Sequence, residues 1–268
     1  MGHVLVIGGG IAGMSAALNL ADQGFKTFLV EEKDQLGGHA LKVKQTWQGE
    51  EVMPFVADLR ERVSNHENIE VILESKVTNV QGFVGQFTTT LEASGVQRDI
   101  EHGIAILATG AHSLKPDQYL YGQSDRVTLW HELEALFEKE PQRLQDAEAV
   151  AFIQCVGSRE PERPYCSKIC CTASVQEAIK LKKQKPDLDV DILYRDLRTY
   201  GLREDLYKEA RELGVLFIRF AREEKPVVEK VSAGSKEKLR ITVKDHILGR
   251  PISFTVDYLN LATAIITK

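Results

Sequence analysis

Residues 3–32, HVLVIGGGIAGMSAALNLADQGFKTFLVEE, decide the fold of this chain. A short run of β-branched and aliphatic residues leads directly into Gly8, Gly10 and Gly13, which have the spacing G-x-G-x-x-G. The apolar residues that follow fall on one helical face, and this pattern stops at Gly24. A second apolar run, FKTFLVEE, has the composition of a buried strand. The segment therefore predicts a β-α-β unit of the kind that binds a dinucleotide.

Each glycine of this loop has a separate structural task. Gly8 permits the tight turn, Gly10 lets the backbone approach a pyrophosphate, and Gly13 lets the helix pack closely on the strand. The helix N-terminus then presents unpaired N–H groups and a partial positive charge to the phosphates. We therefore predict that this loop contributes the following cofactor-binding residues: Gly8, Gly10, Ile11, Ala12 and Gly13.

Two acidic residues, Glu31 and Glu32, stand at the end of the second predicted strand. Glu31 follows Gly13 by 18 residues, close to the spacing at which an acid accepts hydrogen bonds from the adenosine ribose. A negative charge here also disfavours a 2′-phosphate. A glycine motif alone is also typical of an ordinary strand-to-helix turn. Here the strand, helix, second strand and acid are in register, so we interpret the segment as a dinucleotide site.

A second glycine pair and a later buried strand add to this site. The pair is Gly37 and Gly38 in LGGHA, and the strand is HGIAILATGA. Both features resemble the FAD-binding domain of the two-dinucleotide-binding flavoproteins, the superfamily of thioredoxin and glutathione reductases. In that superfamily the segment that contains Val77 runs beside the adenine. The resemblance implies FAD as the cofactor and adds these binding residues: Gly37, Gly38, His39, Val77, Ala108, Thr109 and Gly110.

The composition excludes several classes of protein. Lys and Arg number 34 against 39 Asp and Glu, a net charge of −5, and no basic block stands out, so nucleic acid is not an expected partner. Apolar residues make up 43% of the 268 residues, yet no apolar run reaches the ~18 residues of a membrane span. The N-terminus lacks the basic region of a signal peptide, which predicts a cytoplasmic protein.

A second β-α-β pattern begins at residue 149. AVAFIQ has the composition of a buried strand, CCTASVQEAIK begins a helical pattern, and DVDILYRD has the composition of another strand. In a reductase of this superfamily a second G-x-G-x-x-G would bind NAD(P)H here, whereas only Gly157 remains and cysteines replace the loop. We predict an α/β fold with a Rossmann-like, thioredoxin-reductase-like FAD-binding domain at 1–115 and a helical linker at 116–146. A second Rossmann-like domain, whose phosphate loop is replaced by a cysteine cluster, follows at 147–268.

All the cysteines of the chain lie in one segment, as Cys155, Cys166, Cys170 and Cys171. Four adjacent thiolates repel one another, so a bound cation is expected to compensate them. Sulfur ligands suit zinc or an iron–sulfur cluster, but the paired C-x2-C spacing of most zinc sites is absent. Neighbouring side chains diverge, which favours a cluster whose separate iron atoms take one cysteine each. Three interpretations stay open: an iron–sulfur cluster, which we favour, a zinc ion, and cysteines that are structural or form disulfides.

Further motifs occur along nearly the whole chain: LGGH, GFVGQF, HGIAILATGA, FIQCVGSREPERPYCSKICC and YRDLRTYGLREDLY. Together with the first glycine loop they resemble the A subunit of heterodisulfide reductase, its flavin subunit, and relatives of that protein in anaerobes. The resemblance implies FAD and one [4Fe-4S] cluster with the ligands Cys155, Cys166, Cys170 and Cys171. It also implies partner subunits that are iron–sulfur proteins or heterodisulfide-reductase-like, and a role in anaerobic metabolism.

The sequence departs from these relatives at two points. Many of them insert ferredoxin-like cysteine motifs near residues 85–90 and a cysteine-rich segment after the GGH turn, and this sequence has neither. In the superfamily a further C-terminal stretch completes the flavin domain. That stretch is missing here, so we expect another segment or another chain to complete the flavin site.

The sequence thus predicts an oxidoreductase, an electron-transfer flavoprotein that passes electrons between FAD and the cluster and on to partner subunits. No constellation of His, Asp or Ser suggests acid–base chemistry, so no catalytic residue is predicted. Arg195, Arg198 and Arg203 would screen the cluster charge or contact a partner, or else form a solvated loop. Two alternatives are a scaffold or assembly protein with an incomplete flavin site, and a flavin-dependent disulfide reductase with Cys170 or Cys171 as nucleophile. A homo-oligomer is compatible with each.

Overall fold

A computed structural model describes residues 2–233 and 236–267. These residues divide into two compact units. Unit 1 contains the residues up to 112 together with 267, and unit 2 contains residues 113–266. Within the described ranges no helix combines the length and the apolar composition that crossing a membrane requires.

Unit 1 combines a parallel sheet with an antiparallel one. The parallel sheet has the strand order β3-β2-β1-β7, and the antiparallel sheet has the order β4-β5-β6. Its elements in chain order are β1 (His3–Ile7), α1 (Ile11–Asp22), β2 (Lys26–Val30), α2 (Val52–Asn65), β3 (Ile69–Ile72), β4 (Lys76–Phe83), β5 (Gln86–Ala93), β6 (Val96–His102), β7 (Ile104–Leu107) and β8 (Ala111–Ser113).

The predicted β-α-β unit of residues 3–32 is confirmed. Strands β1 and β2 are parallel neighbours, with Leu5 opposite Phe28. Helix α1 buries the apolar face that the sequence pattern predicted, including Met14, Ala17 and Leu18. Because β1 lies between β2 and β7, the glycine loop that follows β1 opens at the carboxyl edge of the sheet, where α/β folds bind their ligands.

Unit 2 is a second parallel α/β layer with an antiparallel sheet beside it. The parallel sheet has the order β12-β11-β10-β16-β9, and the antiparallel sheet has the order β13-β14-β15. Its elements in chain order are β9 (Val127–Leu129), α3 (Trp130–Lys139), α4 (Pro141–Asp146), β10 (Ala149–Val156), α5 (Cys170–Gln184), β11 (Asp189–Tyr194), α6 (Glu204–Glu212), β12 (Leu216–Arg219), β13 (Val227–Ala233), β14 (Lys236–Asp245), β15 (Arg250–Val256), β16 (Tyr258–Thr263) and β17 (Ile265–Thr267).

The segment 116–146, expected to be a helical linker, lies inside unit 2. Strand β9 pairs in parallel with β16, with Val127 opposite Leu259, and α3 packs Leu133 and Phe137 into the core of the unit. A three-residue strand is too short to show an alternating pattern, so the sequence revealed only the helices. The sheet of unit 2 therefore begins earlier in the chain than predicted.

Strand β10 holds the centre of unit 2. Val150 and Phe152 face a core shared with α5, while Ala151 and Ile153 face a core shared with the antiparallel sheet. Burial on both faces is typical of a central parallel strand. This burial holds the carboxyl end of β10 in place, and the cysteine-bearing loop follows directly after it.

Candidate functional site

The glycine loop of unit 1 is shaped by close backbone contacts. Gly8 has φ +111°, and a Cβ there would lie 2.2 Å from the carbonyl oxygen of Ala108 and 3.1 Å from the main-chain nitrogen of Thr109. A Cβ on Gly13 would lie 1.8 Å from the carbonyl oxygen of Gly8. Since these neighbours are backbone atoms, they have little room to move. Only glycine fits at either position without displacing the main chain.

Gly10 differs from its two neighbours in the motif. A Cβ at Gly10 would meet no protein atom within 4 Å, and its φ of −74° suits any residue. Gly10 is also the N-cap of α1, and no side chain caps this helix or places an acid in its first turn. The space in front of Gly10, at the N-terminus of α1, is therefore open, which is the environment that a pyrophosphate requires.

Glu31 is held beside this loop by main-chain donors. The residue is only 8% exposed, its Oε2 accepts the N–H of Gly9 at 2.6 Å, and its Oε1 accepts the N–H of Lys33 at 3.0 Å. Each carboxylate oxygen keeps capacity for a further hydrogen bond. The neighbouring Glu32 pairs with Lys76 at 3.1 Å on the surface. The bond from Gly9 was missed in the sequence, since nothing in residue spacing marks it.

The second glycine pair packs directly on the first loop. The N–H of Gly37 donates to the carbonyl oxygen of Gly9 at 2.8 Å, and a Cβ on Gly38 would lie 3.0 Å from the Cα of Gly10. Gly37 and Gly38 have φ values of +119° and +56°, which favour glycine. His39 follows them, and its burial, with Lys42 and Lys33 nearby, lowers its pKa and favours the neutral imidazole.

The remaining predicted residues of unit 1 lie on two segments that reach this loop. Ala108 donates its N–H to the carbonyl oxygen of Ile7 at 2.8 Å, and Thr109 and Gly110 continue the chain from it. The N–H of Ser75 donates to the carbonyl oxygen of Glu31 at 3.0 Å, and Val77 follows in β4. The structure therefore gathers the glycine loop, Glu31, the second glycine pair and Ala108, and it places Val77 two residues beyond the contact with Glu31.

The contrast between Gly13 and Gly10 gives a stability prediction. Gly13→Ala should lower the free energy of unfolding by about 1–3 kcal/mol, because its methyl group would overlap the carbonyl of Gly8. Gly10→Ala is the matched control, since its methyl group meets open space and should change stability by less than about 1 kcal/mol. Urea unfolding of the cofactor-free protein measures both. Equal stability of the two variants would contradict the geometry described here.

In unit 2 the four cysteines lie around the carboxyl end of β10. Cys155 is in β10 and is 4% exposed, while Cys170 and Cys171 begin α5 and are 7% and 6% exposed. Cys166 lies between them in the loop and is partly exposed, and all four are free thiols. Cys155 has φ +62°, in the left-handed region, where the pairing of β10 with β16 shifts its register. This local bend turns the chain out of the strand and into the loop.

The cysteines are close enough to influence one another electrostatically. Burial, together with the charges of Cys171, Cys155 and Cys166, raises the pKa of Cys170 to about 12. Burial raises the pKa of Cys171 to about 11, with a further contribution from Cys155 and Cys166. The buried sulfurs would therefore stay protonated without a compensating cation. Among the described residues, no three His, Cys, Asp or Glu side chains converge closely enough to hold one metal ion.

Two arginines bring positive charge to the buried cysteine. Burial raises the pKa of Cys155, whereas Arg195 and Arg159 lower it. Arg159 also binds Asp196, with 2.5 Å between Nη2 and Oδ2, and the buried Arg195 pairs with Glu160 and donates to the carbonyl oxygen of Arg159 at 3.1 Å. Sequence reasoning identified Arg195 but missed Arg159. Its position four residues after Cys155 was the available signal.

Main-chain groups complete the surroundings of the other cysteines. The N–H of Lys168 donates to Sγ of Cys166 at 3.3 Å. The thiol of Cys171 donates to the carbonyl oxygen of Asp196 at 3.8 Å, and a hydrogen bond from the Arg198 backbone lowers the pKa of Cys171. Residues 196–198 thus lie directly against the start of α5.

Several buried polar groups near these cysteines lack hydrogen-bond partners among the described residues. They include both amide atoms of Gln154, Oγ1 of Thr172 and Nε of Arg195. Gln154 directly precedes Cys155, and Thr172 directly follows Cys171. Since unpaired buried polar groups are costly, the donors among them are available to a bound polar group. The chemistry of four sulfur donors fits an iron–sulfur cluster.

Comparison with curated proteins reveals relatives along nearly the whole chain. It is 28% identical to the first A-type iron–sulfur subunit of CoB–CoM heterodisulfide reductase from Methanopyrus kandleri, and 27% identical to the A subunit of the H2:CoB–CoM heterodisulfide,ferredoxin reductase from Methanothermobacter marburgensis. Each match covers 98% of this chain and 53% of the relative, so the chain spans about half the length of these relatives. The first alignment is 361 residues long, so that relative has additional residues within the matched region. The predicted resemblance to the A subunit of heterodisulfide reductase is confirmed.

A solved structure and a family model also match this chain. The crystal structure of Lactococcus lactis thioredoxin reductase in the FR conformation matches with a TM-score of 0.65 at 18% identity, covering 99% of this chain and 78% of that chain. This likeness confirms the thioredoxin-reductase-like α/β fold. The family described as pyridine nucleotide-disulphide oxidoreductase matches residues 2–152. Because that match extends over more than half of the 268 residues, the chain belongs to the pyridine nucleotide-disulphide oxidoreductase family, whose members are flavin oxidoreductases.

Proposed function

We propose that the chain is an FAD- and iron–sulfur-containing electron-transfer subunit of a heterodisulfide-reductase-like complex. It would pass electrons between FAD in unit 1 and a [4Fe-4S] cluster in unit 2, and on to partner subunits. One observation carries this proposal: four buried or partly buried cysteines, all free, surround the end of the central strand β10 within electrostatic reach of one another. Such a set of sulfur donors suits iron–sulfur chemistry, in which the iron ions would compensate the charge of the thiolates.

The glycine loop of unit 1 would hold the FAD. Its backbone at Gly10, Ile11 and Ala12 would face the pyrophosphate at the N-terminus of α1. Two N–H donors already orient the carboxylate of Glu31. It would therefore accept hydrogen bonds from the ribose hydroxyls while keeping both of these main-chain hydrogen bonds. The complete proposed set is Gly8, Gly10, Ile11, Ala12, Gly13, Glu31, Glu32, Gly37, Gly38, His39, Val77, Ala108, Thr109 and Gly110.

The cysteine-bearing loop of unit 2 would hold the cluster. Cys155, Cys166, Cys170 and Cys171 would each bind a different iron atom, an arrangement in which the sulfurs need not converge on one ion. Arg159 would offset the negative charge that the sulfurs acquire. When bound, FAD supplies two-electron exchange with a donor or acceptor and the cluster supplies one-electron exchange. The protein's own contribution is to position both groups and to set their potentials.

The names of the relatives suggest which partners this chain binds. The names of the relatives describe subunits of heterodisulfide reductases, and one of these names includes ferredoxin. We propose iron–sulfur or heterodisulfide-reductase-like subunits as partners of this chain, and a cytoplasmic location.

The burial of the cysteines disfavours the alternative of a thiol nucleophile. A reactive cysteine needs a lowered pKa and exposure, whereas burial raises the pKa of Cys170 to about 12 and that of Cys171 to about 11. A disulfide reductase that uses these sulfurs would therefore need them in a different environment.

Anaerobic purification with iron, acid-labile sulfide and flavin analysis tests the proposed function. We expect about four iron and four sulfide ions with one FAD per chain, and an absorption spectrum in which flavin bands overlie a broad cluster shoulder. Stepwise reduction with dithionite should bleach both features. Zinc without sulfide would contradict the cluster, and a chain that binds neither group would favour a scaffold or assembly role.

A further inference from the structure

The surface around the cysteine-bearing loop has an unusual composition. Six residues from two segments, 165–169 and 198–202, are exposed there, and together we call them the cysteine rim: Tyr165, Lys168, Ile169, Arg198, Tyr200 and Leu202. Leu202 is 74% exposed and Tyr200 is 58% exposed. Large apolar side chains with this exposure mark interaction sites when they cluster and lie beside polar groups.

The two segments of the cysteine rim meet at Cys171. Ile169 is the N-cap of α5 and precedes Cys170 and Cys171. From the other segment, the backbone of Arg198 hydrogen-bonds to Cys171. Lys168 is anchored to the same loop, because its N–H donates to Sγ of Cys166 at 3.3 Å. The rim therefore lies beside Cys166 and Cys171, two of the residues that we propose as cluster ligands.

The charge of this surface runs against that of the whole chain. The chain carries a net charge of −5, yet residues 163–172 and 197–203 contain Arg163, Lys168, Arg198 and Arg203 and no acid. Within the described residues, neither Lys168 nor Arg198 forms a salt bridge.

Five acidic side chains border these two segments: Glu162, Glu204 and Asp205 are exposed, whereas Asp196 and Glu160 are paired with other cations. Asp196 binds Arg159 and lies 3.7 Å from Arg219, and Glu160 pairs with Arg195 and with Lys225. Asp196 and Glu160 are thus partly neutralised by cations outside the rim, while Lys168 and Arg198 are exposed at it.

We propose that the cysteine rim is the docking surface for an acidic electron-carrier protein. An acidic partner complements Lys168 and Arg198 electrostatically, while the exposed Tyr200 and Leu202 supply apolar contact area. Cys166 is the partly exposed cysteine of the four, so a partner seated on the rim lies next to the ligand nearest to solvent. This proposal rests on the proposed function, because an electron carrier has a reason to dock here only if the chain transfers electrons. The exposed surface itself is present whether or not a cluster is bound.

Binding of an acidic ferredoxin tests this proposal. The anaerobically purified full chain is titrated with a purified acidic [4Fe-4S] ferredoxin at low and at high salt, and with basic cytochrome c as the probe of opposite charge. Ferredoxin binding should be detected at low salt and weaken as salt rises, and in a separate titration without ferredoxin the affinity for cytochrome c should not fall in the rim variant described next. The double variant Lys168→Glu/Arg198→Glu should weaken ferredoxin binding by about tenfold or more at low salt.

A matched variant separates this surface from general charge effects. Lys139 is exposed at the C-terminal end of α3, and Lys139→Glu makes the same type of charge change away from the cysteines. It should leave ferredoxin affinity within about twofold of the wild type. Leu202→Ser should weaken binding at low and at high salt alike, because it removes apolar contact and no charge. Circular dichroism confirms that each variant is folded.

Three results would overturn the docking proposal: no ferredoxin binding by the wild type at low salt, equal affinity of the wild type and Lys168→Glu/Arg198→Glu, or an equal loss in Lys139→Glu. If the rim variants instead abolish self-association measured by analytical ultracentrifugation, the surface is a contact between copies of the chain. Iron and sulfide are measured on the same samples. A protein that has both but does not bind ferredoxin refutes the docking surface alone, whereas a protein without them refutes the proposed function.

Discussion

Gly10→Val should abolish flavin binding while leaving unit 1 folded. The backbone at Gly10 accepts any residue, since φ is −74° and a Cβ there would meet no protein atom within 4 Å. The branched side chain would instead occupy the space in front of the N-terminus of α1, where the pyrophosphate is proposed to bind. We expect FAD affinity to fall by at least about 100-fold, equivalent to about 2.7 kcal/mol. Fluorescence titration of the cofactor-free protein with FAD measures this change.

The matched control for this variant is Gly2→Val. Gly2 also has open space around its Cβ position and lies ahead of β1, so the same substitution adds the same atoms away from the loop. The FAD affinity of Gly2→Val should equal that of the wild type. For both variants the urea concentration at the midpoint of unfolding should differ from the wild-type value by no more than a typical surface substitution causes. Normal FAD binding by Gly10→Val would place the cofactor somewhere other than this loop.

Single serine substitutions of the cysteines should remove the cluster. Cys155→Ser, Cys170→Ser and Cys171→Ser each replace a buried sulfur by an oxygen that binds iron poorly beside three sulfurs. We expect iron and sulfide to fall from about four per chain to below about one in these variants, and Cys166→Ser to follow them. Anaerobic metal and sulfide analysis, with electron paramagnetic resonance of the reduced samples, measures the loss.

Glu162→Gln serves as the control for the cysteine variants, because Glu162 is an exposed residue of the same loop without a proposed role as ligand. It should keep its full iron and sulfide content. A cysteine variant that retains all its iron would show that this cysteine is not a ligand. Retention by all four variants would refute the cluster site, and flavin content that stays constant throughout would show that the two sites load independently.

The sequence predicted the elements whose signals are local. The glycine spacing and the apolar face of α1 are both visible within a short stretch of sequence. The first β-α-β unit was therefore recognisable from the sequence alone. Strand β9 was missed because three residues carry no periodicity, and its place in the sheet depends on pairing with β16, more than a hundred residues later in the chain. Local patterns cannot encode such a partner.

The candidate sites divide in the same way. The pattern CCTASVQEAIK predicted that a helix begins at the last two cysteines, and α5 begins at Cys170. The contacts that give each site its electrostatics were not visible, because they join distant segments: Gly9 with Glu31, and Arg159 with Asp196. Such contacts depend on how strands align, so only the folded chain reveals them.

The backbone construction of the glycine loop has a consequence for biosynthesis. The loop owes its shape to main-chain atoms near both ends of unit 1, because Gly8 packs against the carbonyl of Ala108. When only β1 and β2 have emerged from the ribosome, the glycine loop of the nascent chain therefore still lacks its contact with Ala108. If FAD binds at the proposed site, its capture would wait until β7 and Ala108 have emerged, so the nascent chain would lack a complete flavin-binding loop during most of the translation of this unit.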